Sequence, residues 1–242
     1  MKLAAAQITS TPGMITQNIA KHIAVIEQAA RHKVDGIFFP ELSLTGYEPT
    51  LAQELAIDID DKRLNVFEQL SEQLGLLIAV GVPLRVAEHI QIAMLVFQPN
   101  TQRQVYAKQQ LHADEYPFFS AGDQQLLLTN AKQTLAPAIC FESLQESHAK
   151  AAATAGATLY FASVAKSERG LTLANSHYPY IAKQYGMAVI MANCVGPADN
   201  FIGAGGSAIW NAQGERLAQA GNSEEALLIY NSETCQGQLI VL

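Results

Sequence analysis

Residues 135–144 read LAPAICFESL. Five apolar residues lead into a single thiol, Cys140, and Phe141, Glu142 and Ser143 follow at once. A short apolar run bounded in this way predicts a buried strand. Ser143, with Glu146 three residues on, has the spacing of a capping box, so a helix is expected over residues 144–155, ended by Gly156. Residues 157–162 then form the next apolar run. Strand, helix, strand is the repeating unit of α/β folds. The same reading sets Cys140 at a strand end and Phe141 N–H near a helix N-terminus, which favours a thiolate and a developing oxyanion. Taken alone, a solitary cysteine packs as a small apolar side chain, so its chemistry depends on partners elsewhere.

Outward from this stretch the pattern repeats. Residues 2–9 predict a strand, broken by Pro12 and Gly13. Thr16 can cap a helix whose Ile19, Ile23, Ile26 and Ala30 share one face, and residues 34–39 form a strand ending at Pro40. Asp60 can cap a second helix carrying Leu64, Phe67, Leu70 and Leu74, closed by Gly75. Residues 76–82 are a strand. Residues 90–98 and 103–107 flank Pro99, Asn100 and Thr101 as a hairpin. Strands are expected at 126–129 and 133–139. Beyond them a helix over 171–185 contains Pro179, which should break or kink it. Further strands are expected at 187–193, 206–210, 215–218 and 225–230. The closing QLIVL is apolar for a tail and predicts packing on the body or on a partner chain. No linker, composition shift or simple repeat divides the sequence, so 1–242 is read as one domain.

Composition narrows the function classes. The chain has 242 residues, 49% hydrophobic, enough for one sizeable core. A net charge of −7 without a basic block gives no nucleic-acid footprint. The three cysteines, Cys140, Cys194 and Cys235, are odd in number and far apart, which argues against a disulfide framework and for a reducing compartment. No Cys/His clustering suggests a zinc site. The first apolar run is too short for a signal peptide and none approaches a membrane span, so a soluble cytoplasmic protein is expected. GAGGSA at 203–208 has the glycines of a phosphate loop but no lysine after them, and reads as a turn into a strand.

Other polar groups fall at strand ends. Glu41, in PELSLTGYEP (residues 40–49), follows its strand directly, where α/β folds place functional groups. Lys108 ends the second hairpin arm, and Glu115 lies in the loop after it. Each alone reads as a solvated charge.

Together these blocks carry more. PELSLTGYEP, VYAKQQLHADEYPFFSAGD (residues 105–123) and APAICFES (residues 136–143) stand in one order, joined by LAAAQI, MANCVG and FIGAGGSAIWNAQGERLA. The chain resembles the nitrilase superfamily of carbon–nitrogen hydrolases, with its Glu-Lys-Cys triad, from the first strand to about Tyr230. The resemblance implies an α/β fold, a four-layer α-β-β-α sandwich, and pairing into a homodimer or higher homo-oligomer. It implies Cys140 as nucleophile, Glu41 as general base and acid, and Lys108 as the cation beside the thiol. The oxyanion would lie between Lys108 and Phe141 N–H, and Glu115 matches a supporting glutamate. Tyr47, Phe118, Phe119, Lys166 and His177 fall in or near pocket positions, and Lys166 or Arg169 could pair with a substrate carboxylate. His112, His148 and His177 are not needed, since the lysine and glutamate account for the chemistry.

The expected reaction is hydrolysis of a small amide, an ω-amide or carbamoyl compound, with neither cofactor nor metal and with no nucleic-acid or membrane partner. Two departures from small amidases of the family stand out. Glu142 replaces an aspartate two residues after the cysteine, and HYPYIAKQYGM keeps little of an Arg-Ala-x-Glu-Asn run. They leave the triad intact and the substrate open. Alternatives are a nitrilase proper, expected to be longer, an acyltransferase, whose membrane-bound forms carry spanning helices, a histidine-dependent cysteine hydrolase, and a catalytically silent binding module.

Overall fold

The structure, a computed structural model, describes residues 1–130 and 133–242. Along the chain run β1 (Lys2–Gln7), α1 (Ile15–Arg31), β2 (Gly36–Phe38), the single turn α2 (Ala52–Leu55), α3 (Asn65–Leu74), β3 (Leu77–Val86), β4 (His89–Gln98) and β5 (Thr101–Ala107). Next come β6 (Leu128–Asn130), β7 (Gln133–Ile139), α4 (Glu146–Thr154), β8 (Leu159–Val164), α5 (Glu168–Tyr185) and β9 (Ala188–Asn193). The last strands are β10 (Val195–Ala198), β11 (Phe201–Ala204), β12 (Ala208–Trp210), β13 (Arg216–Gln219), β14 (Ala226–Asn231) and β15 (Gln236–Val241).

One sheet has the order β15-β14-β1-β2-β3-β4-β5 and the other β13-β12-β9-β8-β7-β6, with β10 and β11 as a separate hairpin. Each sheet is built on three parallel strands, β1-β2-β3 and β7-β8-β9, flanked by antiparallel ones. The central strands read as unbroken apolar runs because both faces are buried. Leu3 and Ala5 of β1 pack between the sheets with Leu135 and Ile139 of β7, Leu159 and Phe161 of β8 and Ile190 of β9. Ala4 and Ala6 face the other way, under Ile19, Ile26 and Ala29 of α1 and Phe67 of α3. On the second sheet Ala136, Tyr160, Ala162, Val189 and Met191 lie under Ala149 and Ala152 of α4 and Ala174, Tyr178 and Ile181 of α5. Helix, sheet, sheet, helix is the expected sandwich. Among the described residues no helix is long and apolar enough to cross a membrane.

Several local expectations are corrected. Thr16 lies inside α1, whose N-cap position is Met14 without a side-chain bond. The capping carboxylate ahead of α3 is Asp61, accepting from Arg63 N at 2.8 Å, and not Asp60. The capping box does not form. Ser143 sits in a 3₁₀ turn, Glu142–Leu144, and its hydroxyl bonds Cys140 O and Tyr178, leaving Gln145 to open α4. α5 begins at Glu168 and continues through Pro179 to Tyr185. The hairpin β10–β11 fell in a stretch rich in Gly, Pro and Asn, where no period shows. The apolar tail becomes β15, an edge strand on β14.

Candidate active site

The chemistry-bearing groups lie at the C-terminal ends of the parallel strands: Glu41 after β2, Cys140 after β7, Lys166 after β8 and Asn193 ending β9. Lys108 arrives from the end of β5. Two sheets therefore contribute to one place, Glu41 and Lys108 from the first, Cys140 and Lys166 from the second. Ser163 Oγ on β8 donates to Phe39 O at 2.6 Å, a buried bond that ties the sheets together next to Glu41. Gln7 does the same nearby, its amide oxygen accepting from Ser207 N at 2.9 Å while its nitrogen donates to Gly221 O and Glu224 O.

Glu41 is held by a tight loop. Leu42 has φ of 51°, and the backbone of residues 40–42 lies against Gly81 of β3. A Cβ at Gly81 would stand 2.5 Å from Leu42 N and 2.6 Å from Pro40 O, so only glycine admits this approach. Ser43 Oγ bonds His22 Nε2 at 2.9 Å, and His22 Nδ1 must donate to Asn18 O at 2.7 Å. A ring held neutral by burial then accepts at Nε2 from Ser43 Oγ. Burial pushes the His22 pKa down to about 4, against the Asn18 hydrogen bond.

Lys108 Nζ, wholly buried, donates to Glu41 Oε1 at 2.7 Å and to Glu115 Oε1 at 2.6 Å. Glu115 is saturated: Tyr47 OH donates to Oε1 at 2.9 Å and His112 N to Oε2 at 2.8 Å. Glu41 is not, because its buried Oε2 has no hydrogen-bond partner among the described residues. Burial pushes the Glu41 pKa up to about 7. Lys108 pulls it down, Glu115 pushes it up, and the Cys140 thiol alongside lowers it. Burial would depress Lys108, but Glu41, the Cys140 sulfur and Glu115 outweigh it and hold the ammonium charged.

Cys140 is half-buried and takes φ of 45°, the left-handed region that non-glycine residues enter under constraint. Its N–H continues the ladder to Ser163 O at 3.0 Å. Its carbonyl accepts from Ser143 Oγ at 2.5 Å, from Ser143 N at 3.2 Å and from Lys166 Nζ at 3.5 Å. Ser143 in turn accepts from Tyr178 OH at 2.7 Å. These donors hold the sharp turn that aims Sγ into the cavity. Phe141 opens the 3₁₀ turn there. Burial pushes the thiol up to about 11, Glu41 adds to this, and Lys166 and then Lys108 pull it down. The resting group is a thiol, and an adjacent base must take its proton.

Glu142, the departure from aspartate, faces away from the cavity. It accepts from Tyr106 OH at 2.6 Å, Gln109 N at 2.6 Å and Ile139 N at 2.8 Å. It thereby ties the loop after Lys108 to the strand ahead of Cys140. Tyr106 OH also meets His148 Nε2, and His148 Nδ1 meets Tyr160 OH, both at 2.8 Å. His148 is thus a structural link between Tyr106 and Tyr160.

A cavity of about 860 Å³ opens over the thiol, with Tyr47, Lys166, Arg169 and His177 in its wall. Phe119, expected at the pocket, is instead 5% exposed in the core between the sheets. Its backbone is held by the turn at Glu115, to whose carbonyl Phe119 N donates at 2.9 Å. Phe118 is partly exposed and outside the wall. Sequence reasoning missed three positioning residues: Glu142, Tyr178, and Asn193, whose amide brackets the Lys166 backbone through bonds to N and O at 2.8 and 3.2 Å.

Residues 2–234 match the family described as carbon-nitrogen hydrolase. The chain belongs to this family. A glutamine-dependent NAD(+) synthetase of Acinetobacter baylyi is 26% identical over 96% of this chain, which spans 44% of that relative's length. Among solved structures, the NitN amidase of Nesterenkonia sp. AN1 superposes with a TM-score of 0.87 at 21% identity, covering 96% of this chain and 92% of its own. A glutamate variant of the same amidase, with a TM-score of 0.86 at 21% identity over 95% and 89% of the two chains, shows covalent addition of the acetamide moiety of fluoroacetamide at its active-site cysteine. These likenesses establish the nitrilase-type fold of this carbon–nitrogen hydrolase.

Proposed function

We propose that this carbon–nitrogen hydrolase cleaves a small amide through a thioester on Cys140, releasing ammonia. The observation that carries the reading is the half-paired Glu41. Its Oε1 is fixed by Lys108 while its Oε2 is buried without a hydrogen-bond partner among the described residues, in a carboxylate that lies alongside the thiol. Glu41 takes the S–H proton as sulfur attacks the amide carbon, then delivers that proton to the leaving nitrogen, and the C–N bond breaks. Water attacks the thioester as Glu41 removes its proton, and sulfur leaves with the proton returned from Glu41. Phe141 N–H and the Lys108 ammonium receive the oxyanion in both tetrahedral states. Glu115 keeps Lys108 charged and in place.

The cavity wall carries Arg169 as an exposed cation, which suits an amide bearing a carboxylate at its far end. The test is ammonia release from a panel of ω-amides, glutamine, carbamoyl compounds, short aliphatic amides and nitriles, with Cys140→Ala beside the wild type. Release that depends on the thiol supports the reading, and the preferred compound names the class. Release from nitriles alone would replace amide hydrolysis by nitrile hydrolysis. Absence of release, with no adduct on Cys140 by mass spectrometry, would overturn it.

A further inference from the structure

Lys166 is 4% exposed and lies in the cavity wall. Among the described residues no carboxylate comes within ion-pair distance of its ammonium. Its polar neighbours are Cys140 O at 3.5 Å and Cys140 Sγ at 3.8 Å. Lys108, by contrast, is engaged by two carboxylates, Glu41 and Glu115. A buried cation without a counter-charge is costly unless an anion forms beside it. The backbone of Lys166 is clamped at both ends by Asn193 and its carbonyl also accepts from Ala204 N at 2.9 Å, so the position of the lysine is built.

We propose that Lys166 is a further catalytic residue, the cation that pairs with the Cys140 thiolate as the thiol gives up its proton. The S–H bond breaks, the proton moves to Glu41 Oε2, and the negative charge on sulfur faces the Lys166 ammonium until the S–C bond forms. Lys108 then serves the carboxylates and the oxyanion, and the two lysines divide what the sequence reading gave to one. The proposal rests on Cys140 being the nucleophile and deepens that reading.

Other groups face the sulfur. Glu41 and Glu115 disfavour the thiolate, Lys108 favours it, and the phenols of Tyr47 and Tyr178 and the thiol of Cys194 stay neutral because burial raises all three. Removing Lys166 should therefore leave a surplus of negative charge around sulfur.

The test reads the thiol directly and asks for no hydrolysis. Iodoacetamide, a neutral reagent, alkylates Cys140, with Cys140→Ser as the blank, and the rate is followed from pH 7 to 10 by mass spectrometry. Lys166→Met and Lys166→Gln should each slow alkylation roughly 10-fold at a given pH, a shift of about one unit in the profile. Lys166→Arg should restore most of it. Lys166→Gln keeps a donor for Cys140 O without the charge, so it separates electrostatics from support of the turn. Thermal melting confirms that each variant is folded.

Unchanged alkylation in both neutral variants would overturn the proposal. So would recovery by Lys166→Gln to the level of Lys166→Arg. A raised KM confined to carboxylate-bearing amides, with alkylation unaltered, would return Lys166 to substrate binding. If no amide is hydrolysed by the wild type, the alkylation profile still decides the role of Lys166.

Discussion

Glu41 and Glu115 share one lysine and differ in what the remaining oxygens meet. That difference makes a pH prediction at the level of single groups. In the proposed mechanism Glu41 must be ionised to act as the base, and burial, opposed by Lys108 and helped by Glu115, raises it to about 7. Activity should rise with pH through about 7 in kcat/KM, which reports the free enzyme. Glu115→Gln removes a negative neighbour that disfavours the ionised form, so the rising limb should move to lower pH, with the profile of ammonia release against pH as the measurement. Glu41→Gln should lower turnover by ~10²–10⁴-fold and abolish that limb. At this scale the sequence was informative about identities and silent about direction. Glu41, Lys108 and Cys140 were legible because their blocks stand in a family's order. That Lys166 reaches the sulfur was not, because a four-carbon side chain can point many ways. The left-handed turn at Cys140 was equally hidden, since such a φ is read from glycine or asparagine.

Short loops after β2 and β7 convert strand ends into a site, and each has a structural determinant that can be removed. Gly81→Ala would set a methyl group against the backbone of Leu42 and Pro40, which cannot swing aside. The variant should lose about 2–4 kcal/mol in urea denaturation and lose turnover beyond what its folded fraction explains. His22 supports the same loop. Its pKa is about 4 in the folded state against 6.5 when unfolded, with burial as the main cause. Between those values the unfolded chain binds more protons, so stability rises with pH across the window and is lost on acidification from about 6.5 to 4. The full loss is about 3 kcal/mol. His22→Gln, although less stable at pH 7, should show a shallower decline in melting temperature over that range. The β-α-β periodicities announced these elements, but the capping box misled because Ser143 has two better partners, Cys140 O and Tyr178, supplied by the fold.

Glu41 and Cys140, the proposed base and nucleophile, belong to different sheets, so their separation is set by how the whole sandwich closes. Phe38 and Phe161, with ring centroids 4.5 Å apart, meet across the interlayer, and Ser163 bridges it to Phe39. Ser163→Ala should leave Phe39 O buried and unsatisfied at about 1–3 kcal/mol, and let Glu41 drift from the thiol. A fall in kcat larger than the change in KM, in a protein that still melts cooperatively, is the expected result. The four layers followed from the family resemblance. Alternating strands and helices could not distinguish two facing sheets from one, because a central strand buried by a second sheet and one buried by helices have the same apolar sequence.

That closure bears on the chain before it is finished. The glutamate is made early and the cysteine much later, and they meet only when the two sheets are in register. A growing, nicked or half-unfolded chain thus carries an ordinary protonated thiol with no base at hand. In the proposed mechanism turnover therefore waits until the two sheets have met, and the fold itself acts as the safety catch on the chemistry.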